Sequence, residues 1–225
     1  NNYSPIHYAA ENGHQLQAEL LLSNNADANK NLSIKKRRLT PLMLAARAGH
    51  QDVVKALISH DAKIEKRDSL ERTALMHAAA NGHYTLVALL LNKGADPNLA
   101  DIAGNTALHY AAAYGWYHIV QLLLQGSANS DIVNSERLSP LAVALLKGKD
   151  DIAKLLFNQG ADANVTDDKK QTLLMGLVAH LPDDSVLERI NYILQHFTSS
   201  MDHQDIHGFT VLHHLAQIKT TNTDA

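Results

Sequence analysis

The chain has 225 residues, 45% hydrophobic and 5% aromatic, so alanine and leucine rather than rings supply its core. Twenty Lys and Arg stand against 23 Asp and Glu, a net charge of −3 that gives no global field for nucleic acid or an anionic membrane. Cysteine is absent, which excludes disulfides, thiolate nucleophiles and cysteine-ligated zinc, and fits a reducing, cytoplasmic or nuclear setting.

In chain order, "SPIHYAAENGH" at Ser4 opens a helix almost at once, and "TPLMLAARAGH" at Thr40 repeats its chemistry. The pattern returns at Thr73, Thr106, Ser139, Thr172 and Thr210, with starts 36, 33, 33, 33, 33 and 38 residues apart. A fixed period of this size predicts a stacked array in which no copy buries its apolar face alone. No run approaches the roughly 18 apolar residues of a membrane span, and no secretory pattern opens the sequence.

The third unit shows why each copy should fold as it does. Thr73 offers a hydroxyl to the orphan N–H groups of the helix that follows. Leu75, Ala78 and Ala79 form one apolar stripe, and the small alanines admit a close neighbour. Gly82 stops this helix in the left-handed region. Val87, Leu90 and Leu91 make the stripe of a second, antiparallel helix that Gly94 ends. "ADPNLADIAGN" then supplies turn residues for a hairpin.

Two links depart from the pattern. The first carries three extra residues near "NKNLSIKKRRLT". The sixth unit replaces Gly-His with "AHLPDDSVLERINYIL", where Ser185 and Glu188 form a capping box after Pro182, and a longer inter-helix loop is expected. Asn1 enters a first helix directly, and "LHHLAQIKTTNTDA" closes on a first helix without a second, so a longer parent protein is expected.

The T-P-L-H-like openings, the Gly-His pairs at 13–14, 49–50 and 82–83, and the Gly-Ala-Asp-x-Asn of Gly94–Asn98 and Gly160–Asn164 resemble the ankyrin repeat family. The resemblance covers residues 1–225 as one array, six full repeats and a final half. It implies an all-α solenoid of helix-turn-helix units joined by β-hairpin loops. It also implies a non-catalytic interaction module that takes a protein or peptide in the concave groove of first helices and hairpin tips. An accessory or regulatory domain of a larger enzyme, channel or bacterial effector is the alternative.

Fourteen histidines invite a metal or acid–base reading. His7, His14, His50, His83, His109 and His213 stand at the family's own positions, where the resemblance implies backbone hydrogen bonds. His203, His207, His213 and His214 crowd "DHQDIHGFTVLHH", but the repeat register makes this a hairpin rather than a zinc helix. No phosphate, dinucleotide or hydrolase motif occurs, and the Asp pairs at 150–151, 167–168 and 183–184 suit helix starts and loops. No catalytic residue, metal or cofactor is therefore assigned. Asn29, Asn98 and Asn164 hold the position that asparagine hydroxylases modify in some ankyrin repeats; a turn-stabilising role is the expectation.

On the first helices, Tyr110, Ala113 and Tyr114 point away from the Leu108, Ala111, Ala112 stripe. Equivalent triplets are Tyr8, Glu11, Asn12; Leu44, Arg47, Ala48; His77, Ala80, Asn81; and Val143, Leu146, Lys147. Tyr110 and Tyr114 are the expected partner anchors, with Arg47, Arg72, His77 and Asn81 around them. Residues 1–72 hold 11 Lys and Arg against 8 Asp and Glu, and the run Lys35, Lys36, Arg37, Arg38 sits there. The run reads as a solvated hairpin tip or, in functional terms, as a site for an acidic partner segment at Lys36, Arg37 and Arg38, a nuclear localisation signal or a phosphate site. Nucleic acid ranks last, because no basic face with interleaved rings accompanies the run.

Overall fold

The computed structural model describes residues 3–32, 38–162, 171–172, 175, 204–211 and 213. Ten helices occur among them. First helices are α1 (Pro5–Asn12), α3 (Pro41–Ala48), α5 (Ala74–Ala80), α7 (Ala107–Tyr114) and α9 (Pro140–Leu146). Second helices are α2 (Gln15–Ser23), α4 (Gln51–Ser59), α6 (Tyr84–Asn92), α8 (Tyr117–Gln125) and α10 (Asp150–Asn158). First helices pack on first helices and second on second, so two rows run side by side through the array. The molecule is an all-α repeat solenoid.

Several repeat starts cap as their hydroxyls suggest, whereas the Ser4 and Thr106 hydroxyls face Nδ1 of His7 and His109 instead. Thr40, Thr73 and Ser139 accept the N–H of Met43, Met76 and Ala142 at 3.2, 3.4 and 3.3 Å. Each helix is too short to persist alone, and burial between neighbours supplies its stability. Leu75, Ala78 and Ala79 on α5 and Val87 and Leu90 on α6 are at most 2% exposed. The same stripe on α7, Leu108, Ala111 and Ala112, is fully buried.

Two hydrogen-bond series tie the repeats together. His50 and His83 each donate Nε2–H to a carbonyl of the preceding repeat, that of Glu11 at 3.1 Å and of Arg47 at 3.0 Å. In the fourth repeat Trp116 takes this place, and its indole donates to Ala80 O at 3.2 Å while its ring covers Gly82. The second series uses the turns: Asn29, Glu65, Asn98 and Asp131 each accept the N–H of Lys63, Asp96, Asn129 and Asp162, at 2.7–2.9 Å. Asn29 and Asn98 also donate to Asp61 O and Ser127 O. Both asparagines thus brace the next turn as expected. Asn164 lies outside the described residues, as do most of the sixth unit and the end of the seventh.

Candidate functional site: the first-helix face

Among the described residues, four hairpin tips are each built around one buried residue five positions before the helix cap. Asp68, Asp101, Asn134 and Asp205 are 4–8% exposed. Each closes its tip with a backbone bond to the residue four further on, at 3.0 Å. The Oδ1 of each accepts two backbone N–H groups of the same tip, at 2.8–3.0 Å. Tips then stack, Ile102 N–H on Leu70 O and Ser135 N–H on Ala103 O. Gly104 makes that stacking feasible: its φ is +77°, and a Cβ there would meet Asn134 Cα at 2.8 Å.

The second carboxylate oxygen of Asp68 and that of Asp101 reach into the site. Asp68 Oδ2 accepts Arg72 Nε and Nη2 at 3.0 and 2.9 Å and His77 Nε2 at 3.1 Å. His77 and Arg72, assisted by backbone N–H groups, hold the Asp68 carboxyl far below the usual carboxylate range despite its burial. Burial lowers the pKa of His77, opposed by Asp68 and reinforced by Arg72 and Arg47. Asp101 Oδ2 accepts the Tyr110 hydroxyl, and burial together with that carboxylate pushes the phenol well above its ordinary value. Upstream, Arg47 pairs with Glu11 at 2.7 Å, and Glu11 also accepts the Tyr3 hydroxyl.

These contacts correct the expected orientation of the triplets. Their first members mostly face inward: Leu44, His77 and Val143 are 1%, 5% and 8% exposed. Tyr110 is half-buried and packs on the core. His77 is therefore an interior side chain bound to Asp68 rather than a displayed one. A wheel drawn on one helix omits the hairpin that covers this column. The last members do face out: Asn12, Ala48, Asn81, Tyr114 and Lys147 are exposed, and Arg47 and Arg72 are partly so. Arg38 is exposed, whereas Lys36 and Arg37 lie outside the described residues.

Between α7 and α9 this face opens into a cleft of about 680 Å³. Tyr110, Ala113 and Tyr114 line one wall, Val143 and Leu146 the other, and Glu136 and Lys147 stand on the lips. Tyr114 is 58% exposed. An apolar floor with a free ring and two opposite charges at the rim can take a side chain and orient the segment that carries it.

Three further histidines, His7, His109 and His213, are structural in geometry. His7 and His109 donate Nε2–H to Lys30 O and Leu138 O, at 2.9 and 3.0 Å, and their Nδ1 faces Ser4 or Thr106. His213 faces Thr210 in the same way. Among the described residues no group of three or more His, Asp or Glu could hold a metal; His203 and His214 are not among them.

No helix among the described residues is long and apolar enough to cross a membrane. Compared with curated proteins, the chain has no matching relative. The family described as "Ankyrin repeats (3 copies)" matches residues 6–101 and 75–167. Such repeats are generally protein–protein interaction modules and typically non-catalytic. With its period, its caps and its two helix rows matched over most of its length, the chain belongs to the ankyrin repeat family.

Proposed function

We propose that residues 1–225 form a single array that binds an extended segment of a partner protein on the first-helix face, in a cytoplasmic or nuclear setting and without catalysis of its own. The cleft beside Tyr114 carries this reading. Tyrosine brings large apolar area and one hydroxyl at low entropic cost. Ala113 leaves room beside it, and Arg47, Arg72 and Asn81 supply polar contacts further along the face. Tyr110 acts there through its wall of the cleft, with its hydroxyl held by Asp101, and His77 acts only by holding Asp68 beside Arg72.

Truncating a central anchor typically costs about 2 kcal/mol of binding or more, whereas exposed substitutions shift stability within roughly 0.5 kcal/mol. Tyr114→Ala should therefore abolish partner capture and leave the urea midpoint unmoved. Tyr110→Ala should lower both. Capture that survives Tyr114→Ala puts the partner on another face.

The same reading has an acidic stretch of the partner meeting the N-terminal repeats, supported by the local excess of Lys and Arg and by the exposure of Arg38. Replacing Lys36, Arg37 and Arg38 with Ser should flatten the salt dependence of binding. An unchanged salt slope removes that stretch from the proposal.

A further inference from the structure

The exposed sides of the second helices differ in charge. α4 carries Asp52 and Lys55, and α10 carries Asp150, Asp151 and Lys154. Between them, α6 and α8 contain no Asp, Glu, Lys or Arg. Rings stand there instead. Tyr84 opens α6 at 48% exposure, Tyr117 opens α8 at 39%, and Trp116 precedes it at 41%. A band of this kind, uncharged and aromatic between charged borders, marks an interaction surface.

Two clefts flank α8. One, of about 290 Å³, has Tyr84 on its lip and His118, Gln121, Leu122 and Gln125 along its wall. The other, of about 630 Å³, runs from Tyr117 to Asp150, Asp151 and Asn158. The clefts lie one repeat apart, so they recur at the spacing of packed helices, about 8–10 Å. A polyproline II chain rises about 3.1 Å per residue, so its every third residue would meet the next cleft. Such a chain has no internal hydrogen bonds. The hydroxyls of Tyr84 and Tyr117 and the amides of Gln121 and Gln125 are donors its carbonyls can use.

Charge sets the direction. At the α4 border Asp52 is paired with Lys55 at 3.1 Å. At the α10 border Asp150 and Asp151 are exposed and make no ion pair among the described residues. Lys149 and Lys154 also line that cleft; Lys149 lies over Gly115, and Lys154 has a partner of its own. Two carboxylates beside a tyrosine ring suit a cation, above all a guanidinium that can stack and pair at once.

We propose that the α6–α8 face docks a proline-rich segment of another protein in polyproline II form, its Arg- or Lys-bearing end lying against Asp150 and Asp151. This surface is separate from the first-helix cleft, so it can be occupied while that cleft is full or empty.

The test is fluorescence anisotropy with a labelled peptide, Arg-Arg-Leu-Pro-Pro-Leu-Pro-Pro-Leu-Pro-Pro, and a counterpart beginning Ser-Ser. Saturable binding is expected, weakened at least about tenfold by Tyr84→Ala/Tyr117→Ala. Asp150→Asn/Asp151→Asn should reduce the Arg peptide to the level of its Ser counterpart. Circular dichroism and the urea midpoint should hold in both variants, because the altered side chains are exposed. The proposal is overturned by absent saturable binding, by binding that ignores the tyrosine pair, or by tighter binding of an amphipathic helical peptide of equal charge. A dimer in sedimentation that the tyrosine pair dissolves would equally overturn it, by making a second copy the occupant. None of these outcomes touches the first-helix reading, which is scored on Tyr114.

Discussion

Asp68→Ala is expected to cost the array about 3–5 kcal/mol, the range seen when one member of a buried charge pair is removed. The Asp68 side chain is 1% exposed and that of Arg72 22%, so little water can replace what is lost. The deletion strands the Arg72 guanidinium, the His77 ring and the N–H groups of Leu70 and Arg72 together. Asp68→Asn should cost distinctly less. Its amide oxygen can still accept both N–H groups, as Asn134 does before the fifth repeat's helix, although its NH2 then faces the Arg72 donors that Oδ2 accepted. Asp52→Ala, which breaks an exposed pair, should move the urea midpoint hardly at all. Equal midpoints for the Ala and Asn variants at position 68 would mean that the Arg72 and His77 contacts, lost in both, and not the hairpin bonds that Asn keeps, determine stability there.

Acidification should destabilise the fold well before its carboxylates titrate. His7, His77 and His109 all have pKa values lowered by burial from their ordinary 6.5. At His109 the geometry acts in the same direction as burial: Nδ1 accepts the Thr106 N–H, and a second proton would turn that acceptor into a donor facing a donor. A lowered histidine pKa means that the unfolded chain takes up a proton that the folded chain refuses. Stability is therefore complete above about pH 6.5 and falls as pH drops, until the folded histidines protonate as well. Each contributes at most about 1.4 kcal/mol per pH unit, so the three together give an upper slope of about 4. Asp68, held below the usual carboxylate range, works in the same direction at lower pH, since its contribution is present above about 3.9 and is lost beneath that. Urea midpoints measured from pH 7.5 to 5 should decline steadily, and His109→Gln should make the decline shallower. A flat profile would mean that these rings take up protons in place.

The arrangement of helices was legible because it is periodic. Four returns of 33 residues, hydroxyls at the caps and glycines at the stops agree with one another, and agreement across levels is what specifies a fold. The bridging role of Trp116 was legible in principle, since it stands after Gly115 where His50 and His83 follow their glycines. It went unread because a ring swap looks like a loss, whereas the indole keeps the one donor the bond needs. The Asp68, Asp101, Asn134 and Asp205 series also repeats in the sequence, but only as turn composition. What a second carboxylate oxygen reaches depends on how the tip folds back over the helix that follows it, and a single-helix wheel has no term for that. The same gap put His77 outside when it is inside, while Tyr114, beyond the reach of the hairpin, was read correctly as exposed.

The most direct test of the first-helix reading is site-specific crosslinking with benzoylphenylalanine in place of Tyr114, compared with the same residue in place of Leu20. Both positions are well exposed, at 58% and 66%, but Leu20 belongs to a second helix. Irradiation in a cell extract should give one discrete adduct from position 114, competed by excess unlabelled protein, and none from position 20. A competed adduct from position 20 with none from position 114 would contradict the assignment of the partner to the face of first helices and hairpin tips.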